Sequence, residues 1–581
     1  MKYIEHMKVL TRYFNKKEEV ETTVARLAEI LSCSERHVKT IVNFLHQAGY
    51  VEWRIQRGRG KKPKLMLNYT HEEVHLKEAK QSVKMEKYQA AFFIVGQLEK
   101  KAQYTFQEWF RGYLGMTHKN IEDNDLDILR YPFYETKLSM DPLLIISRHD
   151  AHMVQQVFER LVEFNRHTGQ LVPKIARHFE SQDGKRWVFY LHKGVLFHHG
   201  RELTSEDVSA TLERFLKEDN IKGNVIRMEC VTRYSIVFQL KHADYLFPRY
   251  LSSLKASIIP IEVFKKDEEG FQNLPVGSGP FQLIRNDNEM IRLDVFQQYY
   301  GLRPWLDRVE VINTPALFQD DQSHPFRLTA PDTAWKEVRS IEEGADYITF
   351  NCRKSGPLQD SEFRRRICQI IDPEQFCLEG EMVAHSFLTQ KSRELDLPVR
   401  SNAKQKLAGN VELKIAAQQI REGVNHEREA MILKQQLEQA GIEAEVEIVN
   451  AIQFKDPQVI EKYDLFVSGI ALSDDRLLSV LTSIHSNQLS IFPCLDEDMK
   501  VFINKQVSKM KTFQDETARW NSYFEIEDYL KAQHAIIFLN HRIHTIYESE
   551  SSQYANIELD SHGRVDYRAV WKKRNVTLLP K

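Results

Sequence analysis

A chain of 581 residues with 42% hydrophobic and 28% charged residues is too long for one ordinary domain and too apolar to be disordered. The net charge of −2 conceals an uneven distribution, because residues 1–70 hold 14 Lys and Arg against 7 Asp and Glu. The first 70 residues therefore carry +7 and the remainder −9. This asymmetry predicts that only the N-terminal part contacts a polyanion.

The sequence lacks the usual features of an exported or membrane protein. The opening residues contain no apolar segment with a cleavage site, and the longest apolar runs, such as 90–96, are too short to cross a bilayer. Its six cysteines include no C-x-x-C pair, which argues against a disulfide framework or a zinc site. We therefore predict a cytoplasmic protein that uses no metal or cofactor.

Two short helices are predicted near the N-terminus. Apolar residues recur at helical spacing from Val24 to Leu31, and Ser34 can cap a second helix that continues to Gly49. The second helix has one apolar face and an opposite polar face, as in a helix-turn-helix. We predict that this polar face contacts DNA through Ser34, Glu35, Arg36, His37, Lys39, Thr40 and Asn43.

A basic loop follows the second helix. Two β-like segments, YVEWRI and PKLML, flank it, which predicts a hairpin wing that contacts phosphates or the minor groove. The alternative is an ordinary solvated loop, but the helix pair, the loop and the positive charge occur together. We assign residues 1–70 to a winged helix-turn-helix domain. Its wing residues predicted to contact DNA are Arg54, Arg57, Arg59, Lys61, Lys62 and Lys64.

Residues 71–125 are predicted to form a helical connector. From Met85 to Tyr113 apolar residues recur in steps of three and four, which predicts one amphipathic helix. Its apolar face needs a partner, which is the head, the rest of the chain or a second copy of the protein. The polar segment 118–127 is predicted to be the boundary of the next domain.

From Leu171 to Phe215 the sequence resembles the family 5 extracytoplasmic solute-binding proteins, the peptide and nickel class of ABC importers. The shared pattern comprises an Asp-Gly turn, an aromatic strand, a G-V-x-F-x-x-G segment and a T-x-x-D-V helix start. The chain departs from it at His192 and His199, where the family often has Arg and an acidic residue. The matching residues are Pro173, Ala176, Asp183, Gly184, Phe189, Leu191, Gly194, Val195, Phe197, Gly200, Thr204, Asp207 and Val208.

Further segments resemble the family in the same order, among them PVGSGPF at 275–281, YYGLRPWLDRVEV at 299–311 and YITFN at 347–351. The resemblance implies a large two-lobed α/β body of the periplasmic-binding-protein type, class II and peptide-binding, over residues 126–581. Its first lobe is expected at about 126–345 plus 541–581, and its second at about 346–540. The predicted fold is thus multidomain, with a small α+β winged head, a helical connector and this body.

A winged head in front of such a body resembles the SgrR-type transcriptional regulators, and the junction from Ile128 to His152 is similar as well. The resemblance implies transcription control by a small molecule, which is a sugar, a sugar phosphate or an oligopeptide. Ligand binding between two lobes closes them, because only differential affinity for the closed state shifts the equilibrium. The candidate ligand-facing residues are Arg148, Asp150, Ser278, Asp474 and Asp475, and a structural or solvated role is the alternative for each of them.

Two other functions compete with this interpretation. An enzyme is disfavoured because His192, His198 and His199 have no acid or Cys at metal-ligand spacing, and no G-x-S-x-G or P-loop motif is present. A transport binding protein without a regulatory role is the second alternative, which the basic head disfavours. Double-stranded DNA and a small-molecule or peptide effector are the predicted partners, while RNA polymerase and a second copy of the chain stay open.

Overall fold

The structure is a computed structural model, and it describes most of the chain. Within the described residues, no helix has the length and apolar character needed to cross a membrane. The described residues are 3–56, 58, 61–121, 124–133, 138–145, 148–218, 223–314, 335–394, 411–421, 424–450, 453, 456–485, 490–549, 554–555 and 565–572.

The N-terminal head is a winged helix-turn-helix, which confirms the prediction. Ser34 caps its second motif helix, since the Ser34 hydroxyl accepts a hydrogen bond from the His37 backbone N–H at 3.3 Å. Ile41 and Leu45 are fully buried on the predicted inner face. The three strands lie in the order β1-β3-β2. The elements are α1 (Ile4–Leu10), β1 (Glu19–Glu21), α2 (Val24–Ile30), α3 (Glu35–Gln47), β2 (Val51–Arg54) and β3 (Lys64–Leu67).

The connector contains α4 (His71–Lys84), α5 (Tyr88–Gly96) and α6 (Lys100–Arg111), so the prediction of one helix from Met85 to Tyr113 is wrong. The chain turns at Glu86, which has a φ of 56°, and again between α5 and α6. The Phe92 ring of α5 packs edge-on against Phe110 of α6 at 5.4 Å. Apolar residues spaced by three and four serve two packed helices as well as one long helix, so the pattern could not reveal the turns.

The polar segment 118–127 is not a domain boundary. It forms most of a hairpin between β4 (Gly115–Ile121) and β5 (Asn124–Phe133), paired from Gly115 opposite Arg130 to Ile121 opposite Asn124. β5 pairs in parallel with β14 (Arg308–Asn313), so the hairpin belongs to a sheet of the body. β4 is the edge strand of that sheet, a position in which polar residues are common in strands.

The first lobe, defined by its two sheets, follows the connector. A five-stranded sheet has the order β12-β13-β14-β5-β4, and a four-stranded sheet has the order β10-β11-β9-β8. Each sheet buries its own apolar cluster against helices. The remaining elements are α7 (Arg148–Val157), β6 (Val162–Asn165), β7 (Gln170–Pro173), β8 (Ala176–Glu180), β9 (Arg186–Leu191), α8 (Ser205–Glu218), β10 (Val225–Thr232), β11 (Ser235–Leu240), α9 (Phe247–Tyr250), α10 (Ile261–Lys266), α11 (Glu268–Asn273), β12 (Phe281–Asn286) and β13 (Met290–Val295).

The second lobe is defined by a mixed sheet of order β19-β18-β21-β16-β22, in which β20 also pairs with β18. Parallel pairing of β18 with β20 and β21 requires helical crossovers, which α14 and α15 provide. The elements are β16 (Gly344–Phe350), α12 (Ser361–Ile370), β17 (Met382–Val383), α13 (Thr389–Glu394), β18 (Glu412–Arg421), β19 (Val424–Asn425), α14 (Glu427–Gln439), β20 (Glu443–Asn450), α15 (Pro457–Lys462), β21 (Leu465–Ala471), α16 (Arg476–His485), α17 (Ile491–Cys494), α18 (Glu497–Lys511), α19 (Glu516–Ala532), β22 (Ile536–Phe538) and β23 (Asn540–His541).

Two antiparallel strands join the lobes. β15 (Trp335–Ile341) leads directly into β16 of the second lobe, and β24 (Ile543–Ser549) leaves that lobe beside it, with Ile341 opposite Ile543. Two short strands of the chain end, β25 (Tyr554–Ala555) and β26 (Trp571–Lys572), pair with each other. Val565 and Tyr567 return to the core of the first lobe. A paired two-strand crossing of this kind permits a hinge motion of two rigid lobes.

Candidate functional site

The polar face of α3 is exposed along its length. All six predicted α3 residues are exposed, and among the described residues neither Arg36 nor Lys39 has an ion-pair partner. Ser34 is occupied at the helix start, where it caps the backbone. Exposed donors near the start of a helix-turn-helix second helix are the groups that reach base edges in the major groove. The face is therefore available for DNA.

The wing is a true antiparallel hairpin, with Arg54 opposite Lys64. Arg54 pairs with Glu52 at 2.6 Å, and Lys64 pairs with Glu19 of β1 at 2.6 Å. The hydrogen bond from Lys64 lowers the pKa of Glu19. Arg54 is thus partly neutralised by an acidic residue of its own strand, and Lys64 by one of the neighbouring strand β1. Lys61 and Lys62 are exposed, while Arg57 and Arg59 lie outside the described residues.

The predicted first-lobe ligand residues lie near the two ends of α7. Arg148 begins the helix, and Asp150 is buried in its first turn. Ser278 lies in the Gly277–Gly279 turn, which packs closely against the C-terminal end of α7. There is no room for a side chain at Gly277, because a Cβ there would lie 2.1 Å from the carbonyl oxygen of Val157. The Ser278 hydroxyl is fully buried and has no hydrogen-bond partner within the described residues.

Sequence reasoning missed two further buried polar groups in this region. Gln156 is fully buried on α7, and neither atom of its amide has a partner within the described part of the chain. The hydroxyl of Tyr300 is also buried and has no hydrogen-bond partner within the described residues. The hydroxyl of the adjacent Tyr299, in contrast, donates to Glu159 at 2.5 Å. His149, His152, Gln156 and Glu159 recur at steps of three, four and three, which was the available signal for a polar helix face. Buried polar groups without partners are unfavourable unless a ligand or water satisfies them.

Charged groups around this region compensate one another. Glu163 lies within 3.5 Å of Arg160, Lys174 and Arg568. Burial opposes ionisation, but these three cations lower the pKa of Glu163 to about 2. Arg568 also pairs with Asp566 at 2.9 Å. The charges of this cluster are therefore satisfied internally, whereas polar groups of Gln156, Ser278 and Tyr300 have no hydrogen-bond partner within the described residues.

The predicted second-lobe residues follow β21. Asp474 is partly buried, and Asp475 is almost fully buried. Asp475 contacts the first lobe directly, since its carboxylate lies 3.2 Å from the guanidinium of Arg249. The structure thus places Asp475 at a contact between the two lobes.

His198 fastens the Gly277–Gly279 turn and makes its stability depend on pH. Its Nδ1 accepts the Gly277 N–H at 3.2 Å, and its Nε2 donates to the Gly279 carbonyl at 3.0 Å. A proton on Nδ1 would oppose the Gly277 N–H. Burial lowers the pKa of His198 to about 4, although the bond to Gly279 opposes the shift. No three His, Cys, Asp or Glu side chains in the described region are grouped to hold a metal.

The pKa of His198 is 6.5 in the unfolded chain and about 4 in the folded chain. Its contribution to the free energy of unfolding is therefore complete above pH 6.5. It should decline by roughly 2–3 kcal/mol as the pH falls from 6.5 to 4. Hydrogen exchange of the β12 and β13 amides, expressed relative to the intrinsic rate at each pH, should show a correspondingly flatter pH dependence in the His198→Gln variant than in the unmodified protein. The exposed His242→Gln variant is the control. Equal pH profiles for both variants would exclude this role.

Two family profiles match the chain. Residues 2–119 match the family described as sugar transport-related sRNA regulator N-term, SgrR_N. Residues 170–380 match the middle part of the bacterial extracellular solute-binding proteins, family 5. Together with the fold, they define a winged-helix head joined to a family 5 solute-binding body.

Sequence relatives indicate the type of protein to which this chain is similar. The HTH-type transcriptional regulator SgrR of Yersinia enterocolitica is 29% identical over 354 residues, 61% of this chain and 62% of the relative. SgrR of Escherichia coli O1:K1 is 30% identical over 57% of this chain and 58% of its own. The aligned regions thus span less than two thirds of these regulators. The Bacillus subtilis protein named uncharacterized protein YhjP is 26% identical over 95% of this chain and 96% of its own. The chain is therefore similar to the SgrR-type regulators in the order of its matched segments, an SgrR_N match followed by a family 5 solute-binding match.

Solved structures confirm the fold of the body. HbpA2 from Haemophilus parasuis matches with a TM-score of 0.60 at 17% identity, over 77% of this chain and 100% of that chain. NikA from Brucella suis, in complex with Fe(III)-EDTA, matches with 0.61 at 17% identity, over 76% and 100%. DppA from Helicobacter pylori, in complex with the peptide STSA, matches with 0.58 at 18% identity, over 77% and 98%. These structural matches support the two-lobed architecture. At 17–18% sequence identity they carry no information about a shared ligand.

Proposed function

We propose that the protein is a cytoplasmic DNA-binding transcriptional regulator whose solute-binding body senses a small molecule or peptide. The observation that carries the proposal is the exposed, uncompensated face of α3 on a basic winged head. A transport binding protein has no use for such a face. The chemistry of the described residues supports binding and not catalysis. Its partners are double-stranded DNA and the effector.

The head is attached firmly enough for the body to influence it. Lys8 of α1 pairs with Glu78 of α4 at 2.7 Å, and Lys16 pairs with Glu73 at 2.6 Å. Thr70 and Glu73 form a capping box at the start of α4. The recognition domain and the connector are thus held by two charged contacts and a capped helix start, which supports transmission of a rotation and not free tethering.

The connector is in turn fixed to the first lobe. Glu289, in the turn between β12 and β13, accepts the backbone N–H of Gln89 at 2.8 Å and so caps α5 from the body. The Gln89 amide donates to the Asn313 carbonyl at 2.9 Å. Met290 and Ile312 are buried in the same apolar cluster as the connector helices. This packing supports the interpretation that the connector's apolar face serves the body.

We propose a head at 1–70, a connector at 71–114 and a body at 115–581, which moves the expected boundary from 125/126 because the body sheet begins with β4 at Gly115. For the ligand site we propose Arg148, Asp150, Ser278 and Asp474, with Gln156 and Tyr300 added because their polar groups are buried without partners in the described region. Asp475 is assigned to the same cleft through its contact with Arg249. For DNA we propose the α3 and wing residues named above.

Selection from random duplexes by the purified full chain tests the proposal. We expect enrichment of one sequence, bound at least about a thousandfold more tightly than unselected DNA at physiological salt. Asn43→Ala should reduce this preference while binding to unselected DNA persists, because we assign a base contact to this exposed side chain of α3. Lys100→Ala, an exposed change on the connector, should alter neither. Failure to bind any duplex at low ionic strength would contradict the proposal and favour the transport alternative.

A further inference from the structure

One loop of the first lobe is also part of the second. Residues 244–250 follow β11, and Asp244 accepts the indole N–H of Trp187 at 3.2 Å through its carbonyl, which anchors the loop to the four-stranded sheet. Leu246 is 1% exposed and lies in the apolar core of the second lobe. The Tyr245 N–H donates to the Lys511 carbonyl at 2.7 Å. The lobes are therefore joined by this loop as well as by the paired strands β15 and β24.

Arg249 makes the charged part of this contact. Its guanidinium lies 3.2 Å from Asp475 and 2.7 Å from Glu516, both on the second lobe. It also lies 5.1 Å from the ring centroid of Phe164, on the first lobe. Arg249 is 5% exposed. One cation of the first lobe is thus held between two carboxylates of the second.

Arg519 of the second lobe forms a reciprocal contact. It pairs with Glu516 at 3.1 Å and donates to the carbonyl of Tyr245, on the first-lobe loop, at 3.3 Å. The side chain of Lys511 lies 3.7 Å from Asp244. Each lobe therefore supplies cations and anions to the same contact, and the contact is complementary as well as charged.

Such a contact has two distinct states. With the lobes together, each cation named lies within ion-pair distance of a carboxylate, whereas separation removes the ion-pair partners of Arg249 and Asp475 at once. Because these groups are buried against apolar rings and cores, an intermediate separation would leave them neither paired nor hydrated. The charged groups are therefore paired when the lobes are in contact and hydrated when the lobes are fully apart, but neither at an intermediate separation.

We propose that Arg249, Asp475, Glu516 and Arg519 form a latch that holds the lobes together in the absence of ligand. For its regulatory meaning this inference depends on the proposed function. An effector then acts only through different affinities for the latched and the unlatched arrangements, since a ligand moves an equilibrium only in that way. The latch also separates this body from a clamp that closes only around a ligand.

The test uses the full-length protein without ligand, with small-angle X-ray scattering and hydrogen exchange as readouts. Scattering of the unmodified protein should match the profile calculated for touching lobes. Arg249→Met should enlarge the radius of gyration and speed exchange of the Tyr245 amide at least tenfold. Arg233→Met removes an exposed arginine from the same four-stranded sheet region, where it pairs with Glu202, and should change neither quantity.

Two results would overturn the latch: an open scattering profile for the unmodified protein, or unchanged exchange at Tyr245 in Arg249→Met. If Arg249→Met does not fold, the variant Glu516→Gln replaces it in the test, because Glu516 is partly exposed and the substitution conserves the shape of its side chain. It should raise the same exchange rate in the same direction. DNA binding is measured separately, so a protein that opens as expected but ignores DNA refutes the proposed function and leaves the latch intact.

Discussion

Replacing Arg57, Arg59, Lys61 and Lys62 together with Ala should weaken DNA binding regardless of sequence. Each phosphate that the protein no longer neutralises removes about 0.9 from the slope of log K against log salt, so four such phosphates lower the slope by roughly 3–4. If the two plots of log K against log salt meet near about 1 M, affinity at about 0.1 M should fall by roughly a thousand- to ten-thousandfold. Fluorescence anisotropy of one labelled duplex across a salt series measures both quantities.

The matched control removes the same charge elsewhere. Lys100, Lys101, Lys265 and Lys266 are exposed residues of the connector and first lobe, and their joint change to Ala should leave the slope unaltered. An equal weakening for both quadruple variants would indicate a general charge effect. An unaltered slope for the wing variant would show that the hairpin does not contact the backbone of DNA.

The head was predictable because its determinants are local. Ser34 and the apolar spacing from Val38 to Leu45 are read within one helix, and both its start and its buried face agree with the structure. The partner of Lys64 was not predictable in this way. Glu19 reaches the wing only because β1 pairs with β3, a contact between residues 45 positions apart.

The connector and the contact between the lobes show two different limits of prediction from the sequence. In the connector, the apolar spacing identified the buried face, but the break at Glu86 depends on one left-handed residue that the pattern does not mark. In the second lobe, the position of Asp475 after a strand predicts only that it lies near the cleft. Its contact with Arg249 joins residues 226 positions apart, so only the assembled lobes reveal it.

The buried pair of Arg130 and Glu310 predicts the largest change in stability from one substitution. The two residues lie opposite each other on β5 and β14, with Nε and Oε2 2.5 Å apart, and each side chain is 3% exposed. Arg130→Met leaves the Glu310 carboxylate buried, with Arg308 3.8 Å away as a weaker partner. The expected loss is about 3–5 kcal/mol, a large part of the roughly 5–15 kcal/mol that stabilises a domain.

Hydrogen exchange of β5 and β14 amides is the appropriate measurement, because a chain of several domains does not unfold in two states. The double variant Arg130→Met with Glu310→Met should recover most of the loss, since two apolar side chains of similar size leave no buried charge. A single variant as stable as the double would show that the pair is not desolvated as the structure has it. Arg130 also lies 4.9 Å from the Tyr113 ring centroid, at the end of the connector. The single variant should therefore also speed exchange in α6, which would identify this pair as a point where the sheet of the body holds the connector.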